Sequence, residues 1–187
     1  MKIILAVIIL AITFQSVQSQ VVFPENNFKI EYKCEAGGNE PYVVKLYKKE
    51  SVYMLERTSN GYSFKTIIDY GNDRYYDIVK SKRGTSGKRY DKINYPIITS
   101  MWHIYFKGIT NELKTYQKLA DKQTVMGKEC DVYDSGKLSI MNSTMQYFFY
   151  GELMMKTELP GMVIEAVVLD EEPEFDDEDF AIPEDSK

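Results

Sequence analysis

The eight residues from Asn27 to Cys34 read NFKIEYKC. Phe28, Ile30, Tyr32 and Cys34 alternate with Asn27, Lys29, Glu31 and Lys33. An extended chain points successive side chains to opposite faces, so a period of two marks a strand with one buried face. GYSFKTIIDY repeats the pattern: Tyr62, Phe64, Ile68 and Tyr70 share one side, and Ser63, Lys65 and Asp69 take the other. PYVVKLYKK and SVYMLERTS supply two more strands, and SNG turns the second into the Tyr62 strand. GND then leads into RYYDIVKSK, and RGTSG is expected to be a polar turn into KRYDKI. Short strands at roughly ten-residue spacing, with turn residues between them, make an antiparallel meander rather than βαβ units.

The middle of the chain breaks the alternation. In YPIITSMWHIYFKG, Pro96 stands near the start, Ile97, Ile98, Met101, Trp102, Ile104 and Tyr105 are apolar, and Gly108 closes the run. That pattern predicts one short helix lying against the sheet. Strands then resume in KTYQKLAD, TVMG, KECDVYD, KLSIMN, TMQYFFYG, ELMMKTEL and GMVIEAVVLDE, with Pro160-Gly161 as a turn between the last two. Fifteen tyrosines and nine phenylalanines suit such a content of strand.

Lys2, an apolar run from Ile3 to Phe14 and the polar exit QSVQSQ have the make-up of a secretory signal, with cleavage expected before Gln20. The apolar run is about a dozen residues, whereas a spanning helix needs roughly 20. Residues 1–19 are therefore read as the signal and 20–187 as a single exported domain. No cysteine follows the run closely enough for lipid attachment, since the first is Cys34. In an oxidising compartment Cys34 and Cys130 either form one disulfide or remain two buried thiols, and the sequence leaves both open.

The net charge of −5 is uneven. Asp170 to Asp185 holds ten acids and no base; apart from it, Lys2 and Lys187, the chain carries 21 basic and 18 acidic residues. The bases are scattered among acids, which argues against a nucleic-acid footprint. The stretch FDDEDFAIPED lacks the D-x-D-x-D-G spacing of a calcium loop. It reads as an acidic segment, 170–179, with a helical turn capped by Asp176 or Asp177 and a closing FAIP in which Phe180 and Ile182 return to the sheet before Pro183. No metal and no cofactor are expected.

Catalytic patterns are equally thin. The one histidine, His103, sits between Trp102 and Ile104 in the apolar helix. GTSGK at Gly84 to Lys88 has two residues between its glycines, where a phosphate loop needs four. Asn142-Ser-Thr is a glycosylation sequon, relevant in a eukaryotic host. No catalytic residue is assigned, and a non-enzymatic role is expected.

The second half carries a family pattern. TVMGKECDVYD, YFFYGELMMKTE, GMVIEAVVLDE and DDEDFAIPED occur in that order, with Gly127, Lys128, Cys130, Tyr150, Gly151, Met162, Glu165, Ala166, Phe180, Ile182 and Pro183 at the marked places. This resembles the periplasmic lipoprotein-carrier superfamily, the LolA/LolB-like proteins, and an exported branch of it. The resemblance implies a mainly β (α+β) fold: a strongly curved antiparallel sheet forming an open half-barrel of about ten strands, with one or two helices across its mouth. It also implies a lipid, acyl chain or acylated protein as partner, and the periplasm of a Gram-negative-type bacterium, or the extracellular space, as location. Peripheral membrane contact and oligomeric state stay open. The residues expected on the concave apolar face are Phe28, Ile30, Tyr32, Tyr62, Phe64, Ile68, Trp102, Tyr147, Phe149 and Met155. Met141, Met145, Met154 and Met155 near Phe148 and Phe149 suit either an adaptable binding surface or plain core packing. The alternative function is an interaction module whose interior is filled by its own side chains.

Overall fold

Among the described residues twelve antiparallel strands form one curled sheet that does not close. The computed structural model describes residues 26–59, 61–90, 116–136 and 143–180. Six strands form an N-terminal meander: β1 (Phe28–Ala36), β2 (Tyr42–Lys49), β3 (Val52–Ser59), β4 (Tyr62–Asp69), β5 (Arg74–Ser81) and β6 (Gly84–Tyr90). The second six are β7 (Gln117–Lys118), β8 (Gln123–Val125), β9 (Lys128–Asp134), β10 (Gln146–Tyr150), β11 (Leu153–Leu159) and β12 (Met162–Asp170). The sheet runs β6-β5-β4-β3-β2-β1-β12-β11-β10-β9-β7, with β8 also paired to β9. The first and last strands thus join the two meanders, through the ladder from Lys29↔Asp170 to Ala36↔Met162.

Register makes one face apolar. Directly paired residues share a face, so three rows can be followed across the N-terminal strands. Phe28, Lys48, Tyr53, Ile68, Tyr75 and Tyr90 form the first, and Ile30, Leu46, Leu55, Thr66, Asp77 and Lys88 the second. Tyr32, Val44, Arg57, Phe64, Val79 and Ser86 form the third. The buried members of these rows join Tyr147, Phe149, Met155, Ile164 and Ala166 in the main core.

Tyr32 ties that core across strands. Its hydroxyl donates to the Met154 carbonyl at 2.8 Å. Two features of the sequence permit this. Ala166, directly opposite Tyr32, is too small to block the ring. The β11–β12 ladder begins only at Lys156, which leaves Met154 without a ladder partner on that side. A buried tyrosine needs such a partner, because an orphaned hydroxyl costs about 1–3 kcal/mol.

A second, smaller cluster lies on the opposite face: Met54, Ile67, Tyr76 and Ile78, with Tyr47, Val52 and Phe180 packed against it. The C-terminal segment covers it. Phe175 meets Tyr47 edge-on at 6.2 Å and Phe180 at 5.2 Å between ring centroids. A 3-10 turn, Asp177–Phe180, presents Phe180. The Asp176 carbonyl accepts from the Asp179 N–H, and the Asp179 carboxylate accepts from the Asp176 N–H. The expected cap therefore works in reverse, with the third residue of the turn reaching back. Lys65 donates to the Asp179 carbonyl at 3.1 Å.

The mainly β half-barrel and the return of Phe180 to the sheet agree with the sequence. The predicted helix, His103, Asn142, Ile182, Pro183 and the signal segment lie outside the described residues. Among the described residues no helix is long and apolar enough to cross a membrane. RGTSG is not the turn: Lys82 and Arg83 turn, and Gly84 already opens β6 with Ser86 opposite Val79. KTYQKLAD pairs only at Gln117 and Lys118.

In this structure Cys34 and Cys130 are both free, buried thiols. Their strands explain it. Between β1 and β9 stand β12, β11 and β10, four ladder steps or roughly 19 Å along the sheet. Cys34 shares a face with Ile164, Thr157, Tyr147 and Tyr133. Cys130 is buried in the same core cluster from β9. A disulfide needs Cα atoms within about 7 Å and converging side chains.

Candidate functional site

The N-terminal meander leaves a cavity of about 440 Å3 on the core face, lined in part by Tyr42, Val44, Leu55, Arg57, Phe64 and Val79. Strand pairing assembles it. Val44, Arg57, Phe64 and Val79 belong to one cross-strand row, and Leu55, Thr66 and Asp77 to the next. Alternation along VYMLERTS carries Tyr53, Leu55 and then Arg57 onto this face. Tyr53 is buried, whereas Arg57 is exposed. The interior row thus ends in a cation.

Its charge is only lightly engaged. The Arg57 guanidinium carbon stands 4.9 Å from the centroid of the Phe64 ring, a cation–π geometry. No carboxylate of the described residues forms an ion pair with it. The Cys34 thiol and the Tyr42 hydroxyl lie within its field and are hydrogen-bonded to each other. Burial pushes the Cys34 thiol up to about 11, against the lowering effects of Tyr42 and Arg57. Burial likewise raises Tyr42, helped by Cys34 and opposed by Arg57. Both groups are neutral at physiological pH and leave the guanidinium uncompensated. The acid on the far side, Asp77, is occupied: its carboxylate accepts from Thr66 Oγ1 at 2.8 Å and from the Tyr75 hydroxyl.

A second recess lies toward the strand turns. Tyr62 stacks on Phe64 with centroids 6.3 Å apart. It lines that recess, of about 430 Å3, with Gly61, Ser81, Lys82 and Arg83. Along the strands, Tyr62 and Ser81 each lie two residues beyond Phe64 and Val79, on the same face. The two spaces adjoin across the stacked Tyr62 and Phe64 rings and together make up a trough. Among the described residues no group of three or more His, Cys, Asp or Glu is placed to hold a metal ion.

The expected lining residues divide. Phe28, Ile30, Tyr32, Ile68, Tyr147, Phe149 and Met155 are all at most 4% exposed and are packed into the core. Phe64 lines the main cavity and Tyr62 the adjoining recess. Trp102 lies outside the described residues. Missed were Tyr42, Val44, Leu55, Arg57 and Val79. Arg57 had a readable sign, a charged residue in phase with Tyr53 and Leu55 on an apolar face.

The fold and trough define a class, an open antiparallel half-barrel with an accessible pocket on its core face. No family model matches the chain, and no curated protein matches it. Among solved structures, a LolA superfamily protein from Nitrosomonas europaea is similar at 11% identity and a TM-score of 0.33, covering 88% of this chain and 94% of that one. The fold assignment rests on the strand ladders above and not on this likeness.

Proposed function

We propose that the chain is an exported, non-enzymatic protein of the LolA/LolB-like kind that binds a lipid, an acyl chain or another apolar ligand on the core face of its half-barrel. The signal-like segment 1–19 motivates export to a periplasm, or to the extracellular space. The observation that carries the binding reading is the cavity of about 440 Å3 walled by Val44, Leu55, Phe64 and Val79. That volume falls in the range of roughly 300–1,000 Å3 typical of small-molecule sites. Native mass spectrometry of the protein purified from an exporting host is the test. Co-purified lipid, or a thermal shift on adding fatty acids or lipopeptides, is expected. A clean apo mass together with an unchanged melting temperature refutes the reading.

A second reading has its own support. Seven of the ten residues expected to face a ligand are buried against one another. That favours an interaction module with a self-filled interior, and the same negative result selects it.

A further inference from the structure

We propose that the trough is selective for a single-chain amphiphile with one anionic head, a carboxylate or phosphate, held by Arg57 and by the Lys82–Arg83 turn. The inference rests on the binding reading above and adds the class of ligand. The trough sets apolar walls beside cations: Val44, Leu55 and Val79 stand beside Arg57 and Lys65 in the cavity, and Lys82 and Arg83 line the adjoining recess. Tyr62 and Phe64, stacked on each other, floor the passage between the two spaces.

Charge complementarity sets the sign of the head. Arg57 is presented on an aromatic ring, with no carboxylate of the described residues paired to it. A guanidinium on a ring keeps its in-plane N–H donors for a ligand, and it matches carboxylate and phosphate oxygens two at a time. Lys82 and Arg83 form the two-residue turn between β5 and β6, fixed by the Arg83 N–H donating to Ser81 Oγ at 3.2 Å. Among the described residues the only acid lining either space is Asp77, at the opposite end of the trough from that turn and capped by two hydroxyls. A cationic head would meet Arg57, Lys65, Lys82 and Arg83, and a neutral head would leave the Arg57 donors to water.

Capacity sets the rest. At about 440 Å3 the cavity lies in the lower half of the usual range for ligand sites. It suits one chain better than several.

The test is titration with twelve-carbon probes below their micellar concentrations: dodecanoate, dodecyl phosphate, dodecanol and dodecyltrimethylammonium. The wild-type protein is expected to bind the two anions at least about tenfold more tightly than dodecanol, and the cation most weakly. Arg57→Gln is expected to reduce the preference for the anions over dodecanol, while Arg57→Lys keeps more of it. Lys82→Gln/Arg83→Gln is expected to reduce it further in the phosphate arm. A preference for dodecyl phosphate over dodecanoate assigns the head to the phosphate class, and the reverse to the fatty acids. Equal binding of dodecanol and dodecanoate overturns the anionic-head proposal and leaves apolar binding standing. No binding of any probe overturns both. The wild-type comparison needs no variant, so a poorly folding Arg57→Gln does not rescue the idea.

Discussion

At the residue scale, the core is built from groups that the fold keeps protonated. Burial pushes the Cys34 thiol up to about 11 and raises Cys130 as well. Tyr53 is raised by burial and then by Tyr70. Tyr47 is raised by burial and by Glu56, which accepts its hydroxyl, and Tyr75 by burial and by its bond to Asp77. The sign follows directly. A folded-state pKa above the unfolded one means that the native chain holds its proton longer, so stability is full below the unfolded pKa. It is then lost as pH rises toward the folded value. Cys34 gives the window of about pH 9 to 11, with a slope of about 1.4 kcal/mol per pH unit. The tyrosines extend the loss above about pH 10. Lys48, lowered by burial, works against it. Urea melts are expected to show a falling midpoint from pH 9 to 10.5, and Cys34→Val is expected to flatten the first part of that fall. A midpoint unchanged from pH 8 to 10.5 refutes the account. Sequence alternation had placed Cys34, Tyr32 and Phe28 on the buried face correctly. It could not tell a buried residue that lines space from one that fills it. That depends on what the neighbouring strands bring opposite, and cross-strand register is a long-range property.

At the scale of elements, the C-terminal segment is a strap over the outer apolar cluster. FDDEDFAIP reads from sequence as a solvated acidic linker closed by Phe180 and Ile182, and Phe180 does land on the sheet, while Phe175 of the linker also meets Tyr47. Which face they land on was not legible, because both faces of β4 are apolar: Thr66, Ile67 and Ile68 are buried in succession. The strap is held by Phe180, by the Lys49 ammonium 6.0 Å from its ring centroid and by Lys65 on the Asp179 carbonyl. Phe180→Ala is expected to cost about 1–2 kcal/mol, the share of a half-buried ring, as a lower urea midpoint with an unchanged m-value. An unaltered midpoint would mean that Met54, Ile67, Tyr76 and Ile78 are covered without it. The RGTSG turn failed for a related local reason. Glycine-rich stretches usually signal turns, but Ser81, Lys82 and Arg83 had already reversed the chain, so Gly84 and Gly87 were free to pair in β6.

At the scale of the whole molecule, two meanders of mostly neighbouring strands meet at one ladder formed by the two most distant strands, β1 and β12. Several hairpins were legible because their turn residues stand in the short stretch between the strands they join, as Pro160-Gly161 does between β11 and β12. The closing ladder was not, because nothing local in NFKIEYKC names GMVIEAVVLD as its partner. The two thiols report on this join. Cys34 lies on β1 and Cys130 on β9, in different meanders, and each is at most 1% exposed. A thiol so buried reacts only through opening of the structure around it. If the β1–β12 ladder makes the meanders one cooperative unit, both thiols are exposed by the same transition. Maleimide labelling across a urea gradient is then expected to give coincident midpoints for Cys34 and Cys130, equal to the loss of sheet signal by circular dichroism. Reductant is expected to leave the melting temperature unchanged, since no bond links the two. Cys130 labelling well before Cys34 would show that the C-terminal meander opens on its own. A drop in stability on reduction would show that the thiols are bridged after all.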